Sequence, residues 1–288
     1  MERIDSCYLC GAVEREVVLD LLDYEDTYLN AMSIDYANIE RKIFKCDRCG
    51  FVFRSPRLDE EESSRLYSGK PISPYRKKIL QDQTGEEYFD KIVSLPNDQS
   101  ELFHKINWLK VHLNDYLESQ SKKRMIDVGC GMGAFLHYFT KYLPEWECFG
   151  LEVDEIFGKV AKAKLNVPIY TEYWNSKFYD DLELDSKFDL ITLVSVLEHV
   201  PDPIGYLISI RNGLMINGLI FIETPSSKMI RYLEPGHDTF MFPHLYYFDE
   251  DSTKTVIKKA GFKTCYFEYI TTFRNKTQCF AIAKKTIV

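Results

Sequence analysis

From Lys123 onward, short apolar runs alternate with stretches whose apolar residues recur every three to four positions. Runs bounded by glycine, proline and polar clusters read as buried strands, and the three-to-four spacing reads as helices with one face toward a core. The pattern predicts strands at 124–129, 146–151, 167–170, 188–194 and 218–223, with helices at 133–143, 155–165, 203–213 and 250–260. Two further strands, 262–269 and 277–284, follow each other with no helix between. Alternating strands and helices imply a doubly wound parallel sheet, here of seven strands, and the last pair implies an antiparallel hairpin at its edge. Upstream, Leu102, Phe103, Ile106, Leu109, Leu113 and Leu117 share one face of a predicted helix over Glu101–Glu118. Residues 69–99 read as short helical pieces and loops, Leu58–Tyr67 as an acidic helix, and Gly50–Arg57 as a strand ended by proline.

Composition narrows the class. A chain of 288 residues, 45% hydrophobic, suits one large domain with an accessory module. No run approaches the roughly 18 consecutive apolar residues of a membrane span, and Met1–Cys7 lacks the apolar core of a signal peptide. The expectation is a cytoplasmic protein that does not enter a membrane. A formal net charge of −8 argues against a general phosphate-binding surface, and the lysine pairs at 77–78, 122–123 and 258–259 are too short to make one.

Eight cysteines divide unevenly. Cys130, Cys148, Cys265 and Cys279 fall in or beside predicted strands and read as small buried hydrophobes. Cys7-Tyr-Leu-Cys10-Gly and Cys46-Asp-Arg-Cys49-Gly are two C-x-x-C knuckles of one form. Together they offer four thiolates, the donor set of a closed, structural Zn²⁺ site with no coordination position left for water. The 35 residues between the knuckles exceed the roughly 15–20 of a simple ribbon, leaving room for a hairpin built from Glu14–Leu21 and Ile39–Phe44. A redox dithiol competes for either C-x-x-C taken alone; two matched knuckles favour zinc. The chain then divides into a zinc-ribbon module at 1–57, a helical lead-in at 58–122 and a cofactor domain at 123–288.

Arg124-Met-Ile-Asp-Val-Gly-Cys-Gly-Met-Gly-Ala-Phe-Leu136 runs from strand into glycine turn into helix, presenting backbone N–H groups and a positive helix end to a ligand. Gly129, Gly131 and Ala134 also satisfy a loose dinucleotide fingerprint, with Glu152 placed 21 residues past Gly131 as its ribose acid. Asp127, two residues ahead of the first glycine, separates the readings. It makes the turn Asp-x-Gly-x-Gly-x-Gly through Gly133, which resembles motif I of the class I methyltransferases that use S-adenosylmethionine (SAM). Three more segments, Cys148–Asp154, Phe188–Pro203 and Asn217–Pro225, resemble later strands of that family in its order. The resemblance covers roughly 123–288 and implies a Rossmann-like seven-stranded sheet. It also implies a cofactor site in which Asp127 organises the SAM amine, the backbone of Gly129, Gly131 and Gly133 approaches the methionine end, and Glu152 accepts from the ribose hydroxyls. Val153, Glu172 and Ser195 are further candidates for cofactor contacts.

Methyl transfer from a sulfonium is an in-line displacement, so the protein must align a nucleophile and remove its proton. His199 follows the fourth predicted strand in Leu197-Glu-His-Val200, a segment similar to many small-molecule O-methyltransferases. His244, in Phe240-Met-Phe-Pro-His-Leu-Tyr-Tyr-Phe248, resembles a substrate-facing segment of zinc-ribbon-bearing sugar methyltransferases. Their carbon-methylating members have Glu-His here, whereas Pro243 precedes His244, which favours an oxygen acceptor. His244 is the candidate base, with His199 and Tyr247 beside it. The expected reaction is methylation of a hydroxyl on a small molecule, a sugar or sugar nucleotide. Two alternatives stay open: a non-catalytic SAM-binding module whose ribbon recruits a partner, and a metal-assisted RNA 2′-O-methyltransferase. For the latter, Glu198, His199 and His244 resemble three of the four positions that small-RNA 2′-O-methyltransferases arrange around magnesium as Glu-x-x-Glu-His and a later His, but Ser195 stands where the first glutamate should be.

Overall fold

The computed structural model describes residues 1–68, 74–113, 123–175, 178 and 187–286. In chain order the elements are β1 (Arg15–Asp20), α1 (Thr27–Ala31), β2 (Lys42–Cys46), β3 (Val52–Ser55), α2 (Glu60–Ser68), α3 (Pro74–Leu80), α4 (Gly85–Val93) and α5 (Glu101–Leu113). There follow β4 (Lys123–Val128), α6 (Ala134–Tyr142), β5 (Trp146–Leu151), α7 (Glu155–Lys164), β6 (Ile169–Tyr170), β7 (Phe188–Val194) and α8 (Pro203–Asn212). The chain closes with β8 (Leu214–Pro225), β9 (Tyr246–Tyr247), α9 (Glu250–Lys259), β10 (Phe262–Thr271) and β11 (Thr277–Lys285).

Seven strands form one sheet in the order β10-β11-β8-β7-β4-β5-β6. β4 through β8 are parallel, and β11 runs antiparallel to both β8 and β10. This is the doubly wound Rossmann-like sheet and closing hairpin expected from the apolar pattern. Successive residues of a strand face opposite sides, and both sides are covered here, so the strands read as unbroken apolar runs. Met125, Leu190 and Phe221 pack under Ile106, Leu109, Leu136 and Phe139 of α5 and α6. Ile126, Ile191 and Ile220 pack under Leu207 and Ile210 of α8 and Val256 and Ile257 of α9. β4 lies between β5 and β7, where the strand order reverses and a ligand crevice opens at the carboxyl ends.

Several boundaries differ from the sequence expectation. β8 begins at Leu214 rather than 218, with the register shifted against β7 and Asn217 at φ +68°, a left-handed geometry that asparagine tolerates. The helix expected over Glu101–Glu118 is described to Leu113, and Leu117 lies outside the described residues.

A second sheet, β1-β2-β3-β9, is antiparallel throughout. Its last strand does not come from the N-terminal module: Val52 pairs with Tyr247 and Phe53 with Tyr246. Cys7, Leu9, Cys46, Phe51 and Phe53 share one hydrophobic cluster with Ile126, Leu207 and Phe248, and Phe51 stacks on Tyr246 at 5.4 Å. Polar links reinforce the seam. The Tyr8 hydroxyl donates to Asp202 and accepts from the Ile204 N–H at 2.9 Å, while Lys259 Nζ donates to the Leu9 carbonyl at 2.8 Å. Residues 1–57 and the seven-stranded sheet therefore share one core, because the aromatic residues on both sides of the boundary bury one another. Among the described residues, no helix is long and apolar enough to cross a membrane.

Candidate functional site

The glycine turn closes on the ends of β4 and β5. The N–H groups of Gly129 and Cys130 both donate to the Leu151 carbonyl, at 2.8 and 3.0 Å. Gly129 sits at φ +79°, and a Cβ there would meet Val196 Cγ2 at 2.6 Å, so only glycine lets the loop after β7 pack against the turn. Gly131 sits at φ +56° with nothing within 4 Å of its missing Cβ, leaving open space over the turn that a cofactor backbone would fill. Gly133 caps the N-terminus of α6. Glu152, at the end of β5, accepts from Gly131 N–H at 2.7 Å and Asp154 N–H at 2.8 Å, and so braces the turn it faces.

Carboxylates crowd this mouth. Asp127 is 2% exposed and accepts from Thr192 Oγ1 at 2.6 Å. Burial pushes its pKa up to about 7, with the Glu152 charge adding to the rise and the Thr192 bond opposing it. Burial raises Glu152 as well. Glu223, fully buried at the end of β8, accepts from Lys105 Nζ at 2.8 Å and from Gln278 Nε2, and Ser195 Oγ lies 3.5 Å away. Lys105 thus reaches Glu223 from α5, and its charge also acts on Asp127. A cavity of about 340 Å³ opens beside this pair, lined by His104, Lys105, Trp108, Phe273 and Gln278 among others. Asp127 and Glu152, which do not line that cavity, suit a ligand bearing positive charge, as the amine and sulfonium of SAM do. The open turn, its braced acid and this acidic mouth fit the cofactor that the sequence resemblance implies.

The loop that leaves β7 starts at Ser195, exposed and at φ +54°, and carries Val196 against Gly129 before reaching Glu198 and His199. His244 arrives from the segment before β9, held by the Leu245 N–H donating to the Glu198 carbonyl at 2.8 Å. The two imidazoles have centroids 5.0 Å apart. His199 Nδ1 donates to the Pro243 carbonyl at 2.9 Å and also meets the Tyr67 hydroxyl at 3.0 Å; His244 Nδ1 donates to the Thr239 carbonyl at 2.8 Å. A carbonyl only accepts, so each Nδ1 carries the proton and each Nε2 is left with a lone pair. Burial keeps both rings neutral, pushing His199 down to about 4 and His244 to about 3, the latter helped by its histidine neighbour.

Arg54, from β3, is 1% exposed and donates to the His244 carbonyl at 3.0 Å, the Met241 carbonyl at 3.2 Å and the Phe240 carbonyl. The segment bearing His244 is therefore clamped by the N-terminal module. Tyr247 is fully buried, with its hydroxyl 3.4 Å from Arg54 Nη2. Val153 is half-buried and Glu172 exposed. Trp174 packs into the core against Phe178. Sequence reasoning missed Thr192, Arg54, Lys105 and Glu223. Lys105 left a signal: it falls on the apolar face of α5, three residues after Leu102 and four before Leu109, where a lysine must be paired.

At the other end of the module, the four cysteines of the two knuckles face one another. All four Sγ atoms lie within 4.8 Å, with Cys7–Cys49 at 3.6 Å and Cys10–Cys46 at 3.5 Å. A tetrahedron with Zn–S bonds of about 2.3 Å has edges of about 3.8 Å, so the thiolate set fits that ion.

With this geometry in place, the fold and the glycine turn define a nucleotide-cofactor α/β enzyme of the methyltransferase class. The chain belongs to the methyltransferase domain family, whose model matches residues 99–266, and it is a SAM-dependent methyltransferase. It is 26% identical over 165 residues to the ubiquinone biosynthesis O-methyltransferase of Actinobacillus pleuropneumoniae, covering 53% of this chain and 68% of that one. To the tRNA U34 carboxymethyltransferase of Campylobacter jejuni it is 28% identical over 176 residues, 59% of this chain and 57% of the relative. Its fold is similar to that of the Burkholderia thailandensis 1,6-didemethyltoxoflavin-N1-methyltransferase with bound S-adenosylhomocysteine, at TM-score 0.54, 16% identity, and 88% and 99% coverage of the two chains. The Synechocystis magnesium protoporphyrin IX methyltransferase with bound SAM matches at TM-score 0.51, 15% identity, and 81% and 100% coverage.

Proposed function

We propose that this protein transfers the methyl group of SAM to a hydroxyl oxygen of a small molecule, a sugar or sugar nucleotide. One observation carries the reading: two neutral histidines converge on the loop that packs against Gly129, each with its Nε2 lone pair unused by the Nδ1 bonds that orient it. The relative named as an O-methyltransferase supports an oxygen acceptor, and the resemblance of Phe240–Phe248 to sugar-methylating enzymes supports the substrate class. In this reading Asp127 receives the SAM amine, Glu152 the ribose hydroxyls, and Val153, Glu172 and Ser195 border the cofactor. His244 takes the acceptor's proton, with His199 and Tyr247 fixing the surrounding loop. SAM supplies the methyl group and the leaving thioether; the chain supplies alignment and proton acceptance. A panel of sugar nucleotides, free sugars and tRNA, read by S-adenosylhomocysteine formation, tests it. Turnover on tRNA alone would replace the small-molecule reading.

A proton linkage should accompany cofactor binding. Asp127 is half-protonated near pH 7 in the ligand-free protein, and an ammonium partner favours its carboxylate. SAM affinity should therefore fall as pH drops below about 7, approaching tenfold per unit. Calorimetry near pH 6.5 in two buffers of different ionisation enthalpy should show release of a fraction of a proton; identical heats in both would remove Asp127 from the cofactor's partners.

In the same reading Cys7, Cys10, Cys46 and Cys49 hold one structural Zn²⁺. Because the module shares its core with the rest of the chain, Cys46→Ser should lower the melting temperature of the whole protein in one transition. A loss of about 3 kcal/mol corresponds to roughly 6–12 °C in a chain of this size class. A separate low-temperature transition confined to the N-terminus would contradict the shared core, and elemental analysis finding no zinc would remove the site.

A further inference from the structure

The cluster of Glu198, His199 and His244 contains an electrostatic anomaly. Glu198 is fully buried, and among the described residues neither of its carboxylate oxygens has a hydrogen-bond partner. Buried polar groups are almost always satisfied, and an orphaned carboxyl is among the costliest groups to leave so. His199 Nε2 lies 3.9 Å from Glu198 Oε1. One ring nitrogen from each histidine and one Glu198 oxygen all fall within 4.8 Å of one another.

The outer contacts of the two imidazoles have a specific form. Each Nδ1–H donates to a backbone carbonyl, of Pro243 and of Thr239. That arrangement fixes the tautomer and aims the Nε2 lone pair away from the backbone, as it does in histidines that ligate metals. The segment that bears His244 is itself positioned: Arg54 donates to the carbonyls of Phe240, Met241 and His244, which neighbour those of Thr239 and Pro243. Two oriented imidazoles facing an unpartnered carboxylate leave one kind of ligand that satisfies all three.

We propose that Glu198, His199 and His244 bind one divalent first-row transition ion. Two nitrogen donors and one carboxylate suit Mn²⁺, Fe²⁺, Co²⁺ or Zn²⁺ better than Mg²⁺ or Ca²⁺, which prefer oxygen alone. Bonds of about 2.0–2.1 Å give a tetrahedral edge of about 3.4 Å, so the 3.9 Å separation closes with small side-chain rotations. Three protein ligands leave coordination positions open. They lie on the histidine side, because both rings keep some exposure while Glu198 is sealed. The site is separate from the four-cysteine cluster, and it holds whether the methyl acceptor is a sugar or another molecule. When it is filled, His244 Nε2 is a ligand and no longer a proton acceptor, so proton acceptance by His244 belongs to the ion-free protein.

Co²⁺ titration of the full-length, zinc-loaded protein tests this without any methyl acceptor. The expected result is one Co²⁺ per chain with weak visible ligand-field bands and no intense near-ultraviolet thiolate band. Glu198→Gln and His244→Ala should each weaken Co²⁺ binding by at least about 100-fold, since loss of a direct ligand exceeds the 10–100-fold of an outer contact. If Glu198→Gln does not fold, His244→Ala alone decides. No Co²⁺ uptake, a bound ion with thiolate absorption, or affinity unmoved by the substitutions in folded protein overturns the proposal. A negative result here leaves the methyl-transfer reading standing, since that reading is judged by S-adenosylhomocysteine production.

Discussion

Glu152→Ala should weaken SAM binding by about 10²–10⁴-fold in calorimetry, the largest effect expected of any single substitution at the cofactor end. Two charge-assisted bonds to the ribose would be lost, each contributing roughly 1.5–3 kcal/mol. The structure adds a second reason. Glu152 also accepts from the N–H groups of Gly131 and Asp154, so its removal unbraces the turn that the cofactor must approach. Those two donors would be left without a partner at about 1–3 kcal/mol each, and the variant should melt lower even without ligand. Glutamine has one acceptor oxygen and would face the second N–H with another donor, so Glu152→Gln should recover only part of the affinity. A Kd within a few-fold of wild type in a folded Glu152→Ala protein would remove this carboxylate from the cofactor site.

His244→Ala should lower turnover by about 10²–10⁴-fold, the usual contribution of a positioned acid–base group, while SAM affinity changes little. The separation of the two readouts matters, because the His244 segment is bonded to Glu198, on the loop whose Val196 packs against the cofactor turn at Gly129. His199→Ala should be the milder lesion if His244 receives the proton. Arg54→Ala offers a check on position: it leaves both rings in the chain but frees the Phe240, Met241 and His244 carbonyls of the segment that carries one of them. Wild-type turnover in both histidine variants would exclude the imidazoles from catalysis.

What the sequence disclosed was whatever depends on neighbours close along the chain. The strand, glycine turn and helix around Gly129 are local, and their apolar spacing and required backbone angles leave a signature that needs no tertiary information. The same holds for the two cysteine knuckles. β9 was not legible, because two residues carry no periodicity and their strand geometry is imposed by pairing with Val52 and Phe53. Arg54 was hidden for a related reason: in an apolar strand it reads as one charged residue facing water, whereas its acceptors lie 186 to 190 positions away. Glu198 was visible as a neighbour of His199, yet nothing in its spacing told that both its oxygens would be sealed from solvent without partners.

The completion of β1–β3 by a strand from residues 246–247 has a consequence for biosynthesis. Ser55 leaves the ribosome 191 positions before Tyr246, and at roughly 5–20 residues per second the interval is about 10–40 s. During that time β3 presents an unpaired edge, and Phe51 lacks the rings of Tyr246 and Phe248 that cover it in the finished protein. An open, apolar strand edge is a template for pairing with the wrong chain. If the cysteine cluster takes its ion during translation, as proposed, thiolates brought together early would shorten the list of conformations available to the waiting segment and guard a surface whose proper cover has yet to be synthesised.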